Sequence, residues 1–571
     1  MGFTKRTSDS NKTTGNTILI ALIFCFALIL RVFLLGKFPP SLNRDEAALG
    51  WNAYSILKTG KDEWGKFLPL SFKSFGDYKM PLYIYLCVPS IAIFGLNEFA
   101  VRFPSALFGS LTVLLVYFLV KKLFSRKISS LQDQKYLTIL ERLNQDESGR
   151  LHLPIIVMLL LAINPWHLHY SRVAFEANVC LFLVVAGITF FLYAFKKPWL
   201  FSLSTLFFVF SLYAYSSVFV FLPPLFLITL FLYRNEFKLK ENILPLMLAA
   251  IIFILGSTQA AFSVNEVSLA KKAITVFSDP GLIDNFNHQR TALFLESPIL
   301  ARVWLNKPFY FLRIVLRNYL TTFSPNFLFL TGGRHPWHII PGFGNFYKID
   351  AVFFVLGILS WFKLRGKGKW LLAVWFFLAP LASAITIDAP HSTRSLPLVV
   401  PMIILISLGI NQVTVWLKTR KKKLIFYSLL CTLYSVLFCY WLYAYYYEYP
   451  RKLPIFLMSG LKEALLFTYT KDSQKKIIMD EAPASPYIYA LFYLKINPEE
   501  FWQTVKHYGP GVDGIDNVYS FGRFQFFYQL PEERQKAFYI LRTDNLRRDE
   551  TKINKKFFDP SGKTTFVVQD E

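Results

Sequence analysis

The sequence predicts an α-helical membrane protein that crosses the bilayer about eleven times, with large extracytoplasmic loops and a small α/β domain at its carboxyl end. The chain of 571 residues is 54% hydrophobic and 18% aromatic, with a mean hydropathy of +0.38, which is too apolar for a water-soluble fold. Several nearly uncharged runs reach the ~20 residues that a membrane-spanning helix needs. The net charge of +25 comes from Lys and Arg clusters where apolar runs end, which indicates membrane orientation and not nucleic-acid binding.

Each apolar run predicts one membrane helix. The predicted helices lie at about residues 17–36, 100–121, 153–166, 174–195, 199–216, 217–233, 243–262, 351–363, 370–386, 396–416 and 424–446. A basic polar tail precedes the first run and no small-residue cleavage site is evident, so we expect a retained helix and not a removed signal peptide. Placing the basic clusters in the cytoplasm satisfies the positive-inside rule and puts the termini on opposite faces.

This orientation divides the chain into three parts. We expect residues 1–16 to form a cytoplasmic tail, 17–449 the transmembrane domain, and 450–571 an extracytoplasmic α/β domain. The large outer loops of the transmembrane domain then lie at about 37–99 and 263–350. Short apolar runs predict strands in the tail, and a longer stretch predicts a helix. These tail segments are 476–479, 537–541 and 565–568 for the strands and 486–494 for the helix.

Two further segments stand apart from the spans. Residues 81–94 are apolar but short, which suits an interfacial or re-entrant helix. Residues 129–150 carry mixed charge and predict a solvated cytoplasmic loop.

Two adjacent carboxylates follow the first helix, in the run Asn43-Arg44-Asp45-Glu46. One interpretation is a helix N-terminus, where the helix dipole favours acidic side chains. The other is a general base that takes the proton of an acceptor hydroxyl at the rim of the bilayer. The spacing leaves both interpretations open.

The surrounding motifs are similar to those of a known family. The runs GDYKMPLY (76–83) and NEFAVRFPSA (97–106) after the Asp45-Glu46 pair resemble the bacterial protein O-mannosyltransferase-like enzymes of glycosyltransferase family 39, in the GT-C superfamily. Further similar stretches are NPWHLHYSR (164–172), FLTGGRH (329–335) and APH (389–391) with Arg394. The resemblance covers about residues 17–450. The tail is similar only in being an outward-facing soluble domain.

The resemblance implies a GT-C membrane enzyme whose donor is a sugar linked through phosphate to a polyprenyl chain. Transfer would take place on the extracytoplasmic face, which agrees with the predicted orientation. Asp45 would be the general base of an inverting displacement, and Glu46 would orient Asp45 or the acceptor. Arg172 would be the first contact of the donor phosphate, followed by His391 and Arg394. The other expected substrate-binding residues are Asp77, Lys79, Glu176, Arg334 and His335.

Structural interpretations stand beside these roles. Arg172 could pair with Glu176 one helical turn away, and His391 and Arg394 could cap a helix. Arg334 and His335 lie in a Gly-rich loop that could act as a lid. The tyrosines near the end of the last span are typical of an aromatic belt at the membrane interface. These tyrosines are Tyr443, Tyr445, Tyr446 and Tyr447.

The sequence also departs from the eukaryotic members of the family. Lys79-Met80-Pro81 replaces a His-Pro-Pro motif, and no repeat domain is inserted in the long outer loop. The expected acceptor is therefore a lipid or a cell-wall glycan, or less readily a protein. A bacterial inner-membrane location follows from the resemblance.

A hexosyl- or pentosyltransferase is the expected function, and proteins of other classes are the alternatives. A transporter or flippase of lipid-linked saccharides would usually carry ionisable residues at the bilayer midplane or inverted repeats, whereas the charges here cluster at helix ends. A polymerase using a diphosphate-linked donor and a receptor are further alternatives. The sequence predicts no particular cofactor. A divalent cation could lie between acids such as Asp45 and Glu176, but no all-oxygen ligand cluster is evident, so no metal site is predicted.

Overall fold

The computed structural model describes residues 3–124, 153–238, 241–271, 274–480, 485–509, 516–530, 533–545 and 553–571. The predicted cytoplasmic loop at 129–150 lies outside these residues. In chain order the helices are α1 (Phe3–Val32), α2 (Arg44–Thr59), α3 (Leu82–Phe94), α4 (Glu98–Leu123), α5 (Leu153–Ile163), α6 (Pro165–Tyr170), α7 (Glu176–Ala194), α8 (Leu200–Leu212), α9 (Val218–Tyr233), α10 (Ile243–Lys271), α11 (Pro280–Glu296), α12 (Pro298–Trp304), α13 (Lys307–Thr322), α14 (Asp350–Phe362), α15 (Lys367–Leu378), α16 (Leu381–Ala384), α17 (Val399–Trp416), α18 (Arg420–Tyr443), α19 (Tyr449–Lys452), α20 (Leu461–Lys471), α21 (Pro486–Tyr493) and α22 (Pro498–Thr504).

Among the described residues, a helix occupies each predicted span. Seven helices are long and apolar enough to cross a membrane: α1, α4, α7, α9, α10, α17 and α18. The other four spans correspond to α5, α8, α14 and α15, which have 11 to 13 residues. The predicted multi-pass helical membrane fold is therefore confirmed. The borders drawn at residues 16 and 449 stay predictions, because α1 and α19 run across them without a break.

Glycines allow the membrane helices to approach closely. A Cβ added at Gly409 of α17 would lie 1.8 Å from the Phe353 carbonyl oxygen of α14, and one at Gly357 would lie 1.9 Å from the Leu405 carbonyl oxygen. Small residues at such crossings permit the backbone contact on which helix packing in lipid depends. The backbones of α14 and α17 are therefore in direct contact at this crossing.

The first outer loop is a small folded unit. It contains α2, an antiparallel hairpin of β1 (Phe72–Ser74) and β2 (Asp77–Lys79), and α3, which occupies the segment predicted at 81–94 as an interfacial or re-entrant helix. The second outer loop contains α11, α12 and α13, which were not predicted.

The tail folds around a mixed seven-stranded sheet flanked by α20, α21 and α22. Its strands are β3 (Lys476–Asp480), β4 (Lys506–His507), β5 (Val518–Phe521), β6 (Phe524–Phe527), β7 (Ala537–Arg542), β8 (Lys555–Phe558) and β9 (Thr564–Asp570). The strand order is β4-β5-β6-β3-β7-β9-β8, with β3 parallel to both of its neighbours. The buried side chains of α21 join the same core as the membrane helices and the first outer loop. This packing places the tail directly against the elements that carry Asp45 and Lys79.

Candidate active site

Asp45 lies in the first turn of α2, where a capping box fixes the helix start. Asn43 Oδ1 accepts a hydrogen bond of 2.8 Å from the Glu46 amide, and Glu46 Oε2 accepts one of 3.1 Å from the Asn43 amide. This reciprocal pair satisfies backbone donors that a helix start leaves without partners. The helix-terminus interpretation and the functional one are therefore compatible, because the cap uses Glu46 and leaves Asp45 at the surface.

Asp45 forms an ion pair with Lys79 across the first outer loop. Lys79 Nζ lies 2.6 Å from Asp45 Oδ1 and 3.4 Å from Asp77 Oδ2. The Asp45 side chain is 52% exposed, whereas that of Lys79 is 5% exposed. The hairpin register pairs Lys79 with Phe72 and Asp77 with Ser74, so two residues predicted as substrate-binding reach the predicted base from one strand. The ion pair therefore consists of an accessible carboxylate and a buried ammonium.

Charge decides the protonation state of this pair. Burial raises the pKa of Asp45, but the positive charges of Lys79 and Arg44 outweigh it and hold the pKa below its ordinary value. Burial lowers the pKa of Lys79, but Asp45, Asp77 and Glu176 raise it above its ordinary value. Asp45 is therefore an anion and Lys79 a cation at neutral pH. Glu176, the first residue of α7, is close enough to Lys79 to contribute to this field.

Glu46 has a different environment from its neighbour. Its carboxylate is 1% exposed and receives Arg102 Nε at 2.9 Å and Nη2 at 3.1 Å. It also accepts from the Ala174 amide at 2.9 Å. Both oxygens are thus engaged away from the surface. This position suits the predicted role of orienting Asp45 better than that of orienting the acceptor, and both roles stay predictions.

Arg102 was part of a motif but was not predicted as a site residue. Besides Glu46, its guanidinium donates to the carbonyls of Leu35, Pro39 and Ser41 at 3.2, 2.8 and 2.6 Å. It therefore ties the segment after α1 to α4 and sets where α2 begins. An arginine within an apolar span is the sequence signal that could have identified it.

Arg172 lies in the turn before α7, so it is not one helical turn from Glu176 as one interpretation required. It is buried, and its Nη1 donates to the carbonyls of Leu30 and Arg31 at 2.6 and 3.3 Å. These carbonyls end α1, where a positive charge is favourable. Its guanidinium carbon lies 5.2 and 5.4 Å from the rings of Tyr445 and Tyr446. Arg172 is thus first of all a cap of α1.

The same packing corrects the aromatic-belt interpretation for Tyr445. Tyr445 is buried against Arg172, whereas Tyr443 and Tyr447 remain about half exposed. A π-helical segment from Ala444 to Glu448 turns these side chains to different sides, which an ordinary helical spacing does not predict.

A Gly-rich loop forms the other wall of the site. Gly333 packs so closely on the 389–395 loop that an added Cβ would lie 2.4 Å from Ser392 Oγ. The rings of His335 and His338 lie 4.7 Å apart, and those of His338 and His391 lie 4.8 Å apart. His335 was predicted as substrate-binding and His391 as phosphate-binding. His338 links them and was not predicted.

Arg394 and His391 converge on Asp388. The Arg394 guanidinium forms an ion pair with Asp388, and His391 Nε2 lies 3.4 Å from the same carboxylate. Burial and the charge of Arg394 lower the pKa of His391 to about 3, although Asp388 opposes them. His391 is therefore neutral at physiological pH, and the permanent cation beside it is Arg394.

Charged groups on both walls affect the pKa of His335. Burial lowers the pKa of His335, while the carboxylates of Asp45 and Asp388 oppose that shift and Arg44 adds to it. His335 therefore lies within electrostatic range of both acids, between the Asp45–Lys79 pair and the Arg394–Asp388 pair. Arg334 is exposed next to His335. Of the predicted site residues, Glu46 and Arg172 are buried behind the two walls. The others lie on the walls or beside them.

A small apolar cleft of about 20 Å³ lies beside Arg394. Its lining comes from α7, from the start of α9 with the turn before it, and from the segment that precedes α17. The lining residues are Ala177, Cys180, Leu181, Val184, Tyr215, Ser217, Val218, Phe221, Thr393, Arg394 and Pro397. Over the described part of the chain, no three His, Cys, Asp or Glu side chains form a metal-binding group.

Known proteins are similar to this chain in one stretch of sequence and in fold. A family model described as dolichyl-phosphate-mannose-protein mannosyltransferase matches residues 79–132, beginning at Lys79. No curated protein matches the chain in sequence.

Three solved structures are similar to the chain. ArnT from Cupriavidus metallidurans in the apo state has a TM-score of 0.51 at 12% identity, covering 98% of this chain and 98% of ArnT. ArnT bound to undecaprenyl phosphate has a TM-score of 0.49 at 11% identity, covering 97% and 98%. The archaeal oligosaccharyltransferase AglB from Archaeoglobus fulgidus, in complex with an inhibitory peptide and a dolichol-phosphate, has a TM-score of 0.47 at 12% identity, covering 84% and 64%. The similarity to apo ArnT shows a shared fold. The family match lies within the region whose motifs resemble the mannosyltransferase-like proteins, and the fold of the chain is shared with apo ArnT.

Proposed function

We propose that the chain is a glycosyltransferase that moves a sugar from a polyprenyl-phosphate donor to an acceptor hydroxyl on the extracytoplasmic face, with inversion at the anomeric carbon. The observation that carries the proposal is the accessible Asp45 carboxylate, held ionised by Lys79, opposite a wall that presents Arg394. A base and a cation on facing walls are what a displacement of phosphate by a hydroxyl needs. The family match to a dolichyl-phosphate-linked activity supports the donor class.

In the proposed step the acceptor oxygen attacks the anomeric carbon from the side of Asp45. The new carbon–oxygen bond forms as the bond from that carbon to the phosphate oxygen breaks, and the acceptor proton moves to an Asp45 oxygen. The electron pair of the broken bond leaves with the polyprenyl phosphate. Because Asp45 is anionic at neutral pH, it can accept the proton without prior activation.

Cations stabilise the leaving phosphate in this proposal. Arg394 is partly buried beside the small apolar cleft, and a guanidinium can donate two parallel hydrogen bonds to phosphate oxygens. His391 would add a neutral hydrogen-bond donor beside it. Arg172 ranks after Arg394 as a contact of the phosphate, because it is buried and its Nη1 donates to carbonyls of α1.

The sugar and the acceptor would lie between the two walls. Lys79, Asp77 and Glu176 line the side of the base, and Arg334 and His335 line the opposite side. We propose that the acceptor is a lipid, a cell-wall glycan or a protein, and that the transferred sugar is a hexose or pentose. The enzyme would act in the cell (inner) membrane, with the tail on the extracytoplasmic side.

The test is transfer of a labelled sugar from synthetic polyprenyl-phosphate sugars to membrane acceptors by the purified chain. Asp45→Asn removes the base without changing the shape of the side chain, so turnover should fall by about 10²- to 10⁴-fold while donor binding persists. Asp472→Asn in the tail is the matched control, because Asp472 caps a turn with its Oδ1 and an asparagine can do the same. The anomeric configuration of the product, read by NMR, tests inversion.

Two results would contradict this assignment. Unchanged turnover of Asp45→Asn would remove Asp45 as the base. Failure of the intact chain to consume any donor across a panel of isoprenoid phosphates would contradict a transferase, and movement of lipid-linked saccharide across vesicles should then be measured.

A further inference from the structure

A buried carboxyl group lies where the first outer loop meets the tail. Glu63 is 3% exposed, and its carboxylate receives Ser74 Oγ at 2.6 Å, the Tyr487 hydroxyl at 2.7 Å and Asn52 Nδ2 at 3.3 Å. We call Asn52, Glu63, Ser74 and Tyr487 the Glu63 cluster. Its members are not used by the proposed chemistry.

The Glu63 cluster joins elements that are distant in sequence. Asn52 belongs to α2, which begins with Asp45, and Ser74 ends β1, opposite Asp77 in the hairpin. Tyr487 belongs to α21 of the tail, and Trp502 of α22 donates its indole N–H to the Glu63 carbonyl at 3.0 Å. One side chain therefore connects the helix of the base, the strand pair of Lys79 and the tail.

The hairpin turn itself is held by the tail. Phe75 and Gly76 form a two-residue turn with φ values of +43° and +83°, a geometry that ordinarily favours Asn and Gly. A phenylalanine in the left-handed region persists only where its surroundings fix it. The Tyr487 hydroxyl accepts the Phe75 amide at 3.0 Å, so the group that donates to Glu63 also holds the strained residue.

The ring of Phe75 explains why a phenylalanine stands at this position. Lys79 Nζ lies 5.0 Å from the ring centroid and the Arg44 guanidinium carbon lies 4.9 Å from it. These cation–π contacts hold against one ring the two cations whose charges lower the pKa of Asp45. A continuous path therefore runs from Glu63 through Tyr487 and Phe75 to the ion pair of the candidate base.

A second contact on the same side holds the other strand of the hairpin. Lys73 of β1 forms an ion pair of 2.9 Å with Asp516 of the tail, and its ammonium lies 3.9 Å from the Trp64 ring. Trp64 in turn stacks on His507 of β4 at 4.5 Å. The tail thus contacts β1 at Lys73 and the turn that follows β1 at Phe75.

We propose that Glu63 and Tyr487 are positioning residues: the tail, through them, fixes the Phe75 turn and thereby the Lys79–Asp45 geometry. This inference rests on the proposed function for its effect on turnover, but not for its effect on Lys79. The tail is then a part of the catalytic unit and not an appended module. Small displacements of reacting groups cost turnover steeply, on the order of 10²-fold for about 1 Å.

Glu63 offers a conservative variant that separates positioning from charge. Burial raises the pKa of Glu63 to about 7, although the hydrogen bonds of Ser74, Tyr487 and Asn52 lower it and Asp62 adds to the rise. A neutral amide therefore resembles the protonated side chain that predominates below that pH. We expect Glu63→Gln to keep most of the wild-type kcat at pH 6 and Glu63→Leu to lose it, by roughly tenfold or more.

The decisive comparison is Tyr487→Phe with Tyr539→Phe. Both tyrosines are buried in the tail, but the Tyr539 hydroxyl accepts from the Gln535 amide at 2.8 Å, within the tail itself. Tyr487→Phe should lower kcat by roughly tenfold or more with donor affinity kept, whereas Tyr539→Phe should change kcat less than about twofold. Equal effects of the two variants on kcat would overturn the proposal.

A readout without turnover keeps this proposal separate from the proposed function. Lys79 is buried and ion-paired, so an amine-reactive reagent should modify it slowly, as followed by mass spectrometry. Tyr487→Phe should speed that modification by roughly fivefold or more because the turn opens locally, and Tyr539→Phe should not. Phe75→Gly, which relieves the backbone strain but removes the ring, should also expose Lys79. Protection that is unchanged in both Tyr487→Phe and Phe75→Gly would overturn the positioning role even if no donor were ever found.

Discussion

At the scale of single residues, the neighbouring acids Asp45 and Glu46 differ in exposure and in their partners. Successive residues of a helix point about 100° apart, so one acid of the pair faces the opening and the other faces the core. The spacing predicts a helix start and a candidate base. It does not predict which acid is buried, because the partner that decides this is Arg102, 56 residues away.

The charge of Lys79 controls the acid limit of the proposed reaction. With the pKa of Asp45 held below its ordinary value of 3.8, the wild-type enzyme should lose base activity only at still lower pH. Lys79→Met removes the strongest opposing charge and leaves burial to raise the pKa of Asp45. We expect the acid limb of kcat/KM to move to higher pH in the variant, so that activity is lost earlier as the pH falls.

The measurement is a pH profile of kcat/KM for the wild type and Lys79→Met, with Lys471→Met as control. Lys471 pairs with Asp570 at 2.9 Å on the tail surface, so its loss should leave the limb unmoved. A lower overall rate in Lys79→Met is expected from lost substrate contacts. An acid limb that stays in place would contradict the role assigned to this charge.

At the scale of elements, backbone contact between α14 and α17 holds the centre of the bundle. A methyl group at Gly409 has no room beside the Phe353 carbonyl, so Gly409→Ala should separate the two helices. Overpacking of this kind costs about 1–3 kcal/mol. We expect a lower thermal unfolding midpoint in detergent.

Gly281→Ala in α11 is the control, since its added Cβ would meet only Asp279 Oδ1 at an ordinary 3.4 Å. Alanine favours helix over glycine by about 1 kcal/mol, so this variant should be as stable as the wild type or slightly more so. Equal midpoints for Gly409→Ala and Gly281→Ala would show that α14 and α17 can separate without loss.

The elements differ in how well they could be predicted. Membrane helices follow directly from apolar length, and β3, β7, β9 and α21 of the tail coincide with the predicted runs. The strands β4, β5, β6 and β8 have two to four residues, which is too short for an alternating pattern to be recognised. The Phe75 turn was also missed, because its geometry depends on the tail and not on a local turn motif.

At the scale of the whole molecule, the predicted orientation places the tail outside and the basic ends of the spans inside. Single cysteines at Asp472 and Lys421, in a chain whose five native cysteines are replaced, would test it. A membrane-impermeant maleimide should label Asp472→Cys in intact cells and Lys421→Cys only after permeabilisation. Labelling of Lys421→Cys in intact cells would reverse the orientation and contradict an extracytoplasmic active site.

The fold was more predictable than the site because it depends on averages over many residues, whereas the site depends on a few long-range contacts. Asp77 and Lys79 share a motif and were predicted together, and the structure brings Lys79 into contact with both Asp77 and Asp45. His338, Arg102 and Glu63 were not predicted, since each has partners far along the chain. The phosphate contact of Arg172 stays a prediction, and its main partners in the structure are the carbonyls at the end of α1.

The hydrogen bond between Phe75 and Tyr487 joins residues 412 positions apart, and this separation has a consequence for biosynthesis. At about 5–20 residues per second, Phe75 is made roughly 20 to 80 seconds before its partner. During that interval Asp45 is already present, but the turn beside Lys79 lacks its hydrogen bond to Tyr487. Under the proposed function, the chain would therefore reach full activity only after its tail has been made and folded, which couples the onset of full activity to the completion of synthesis.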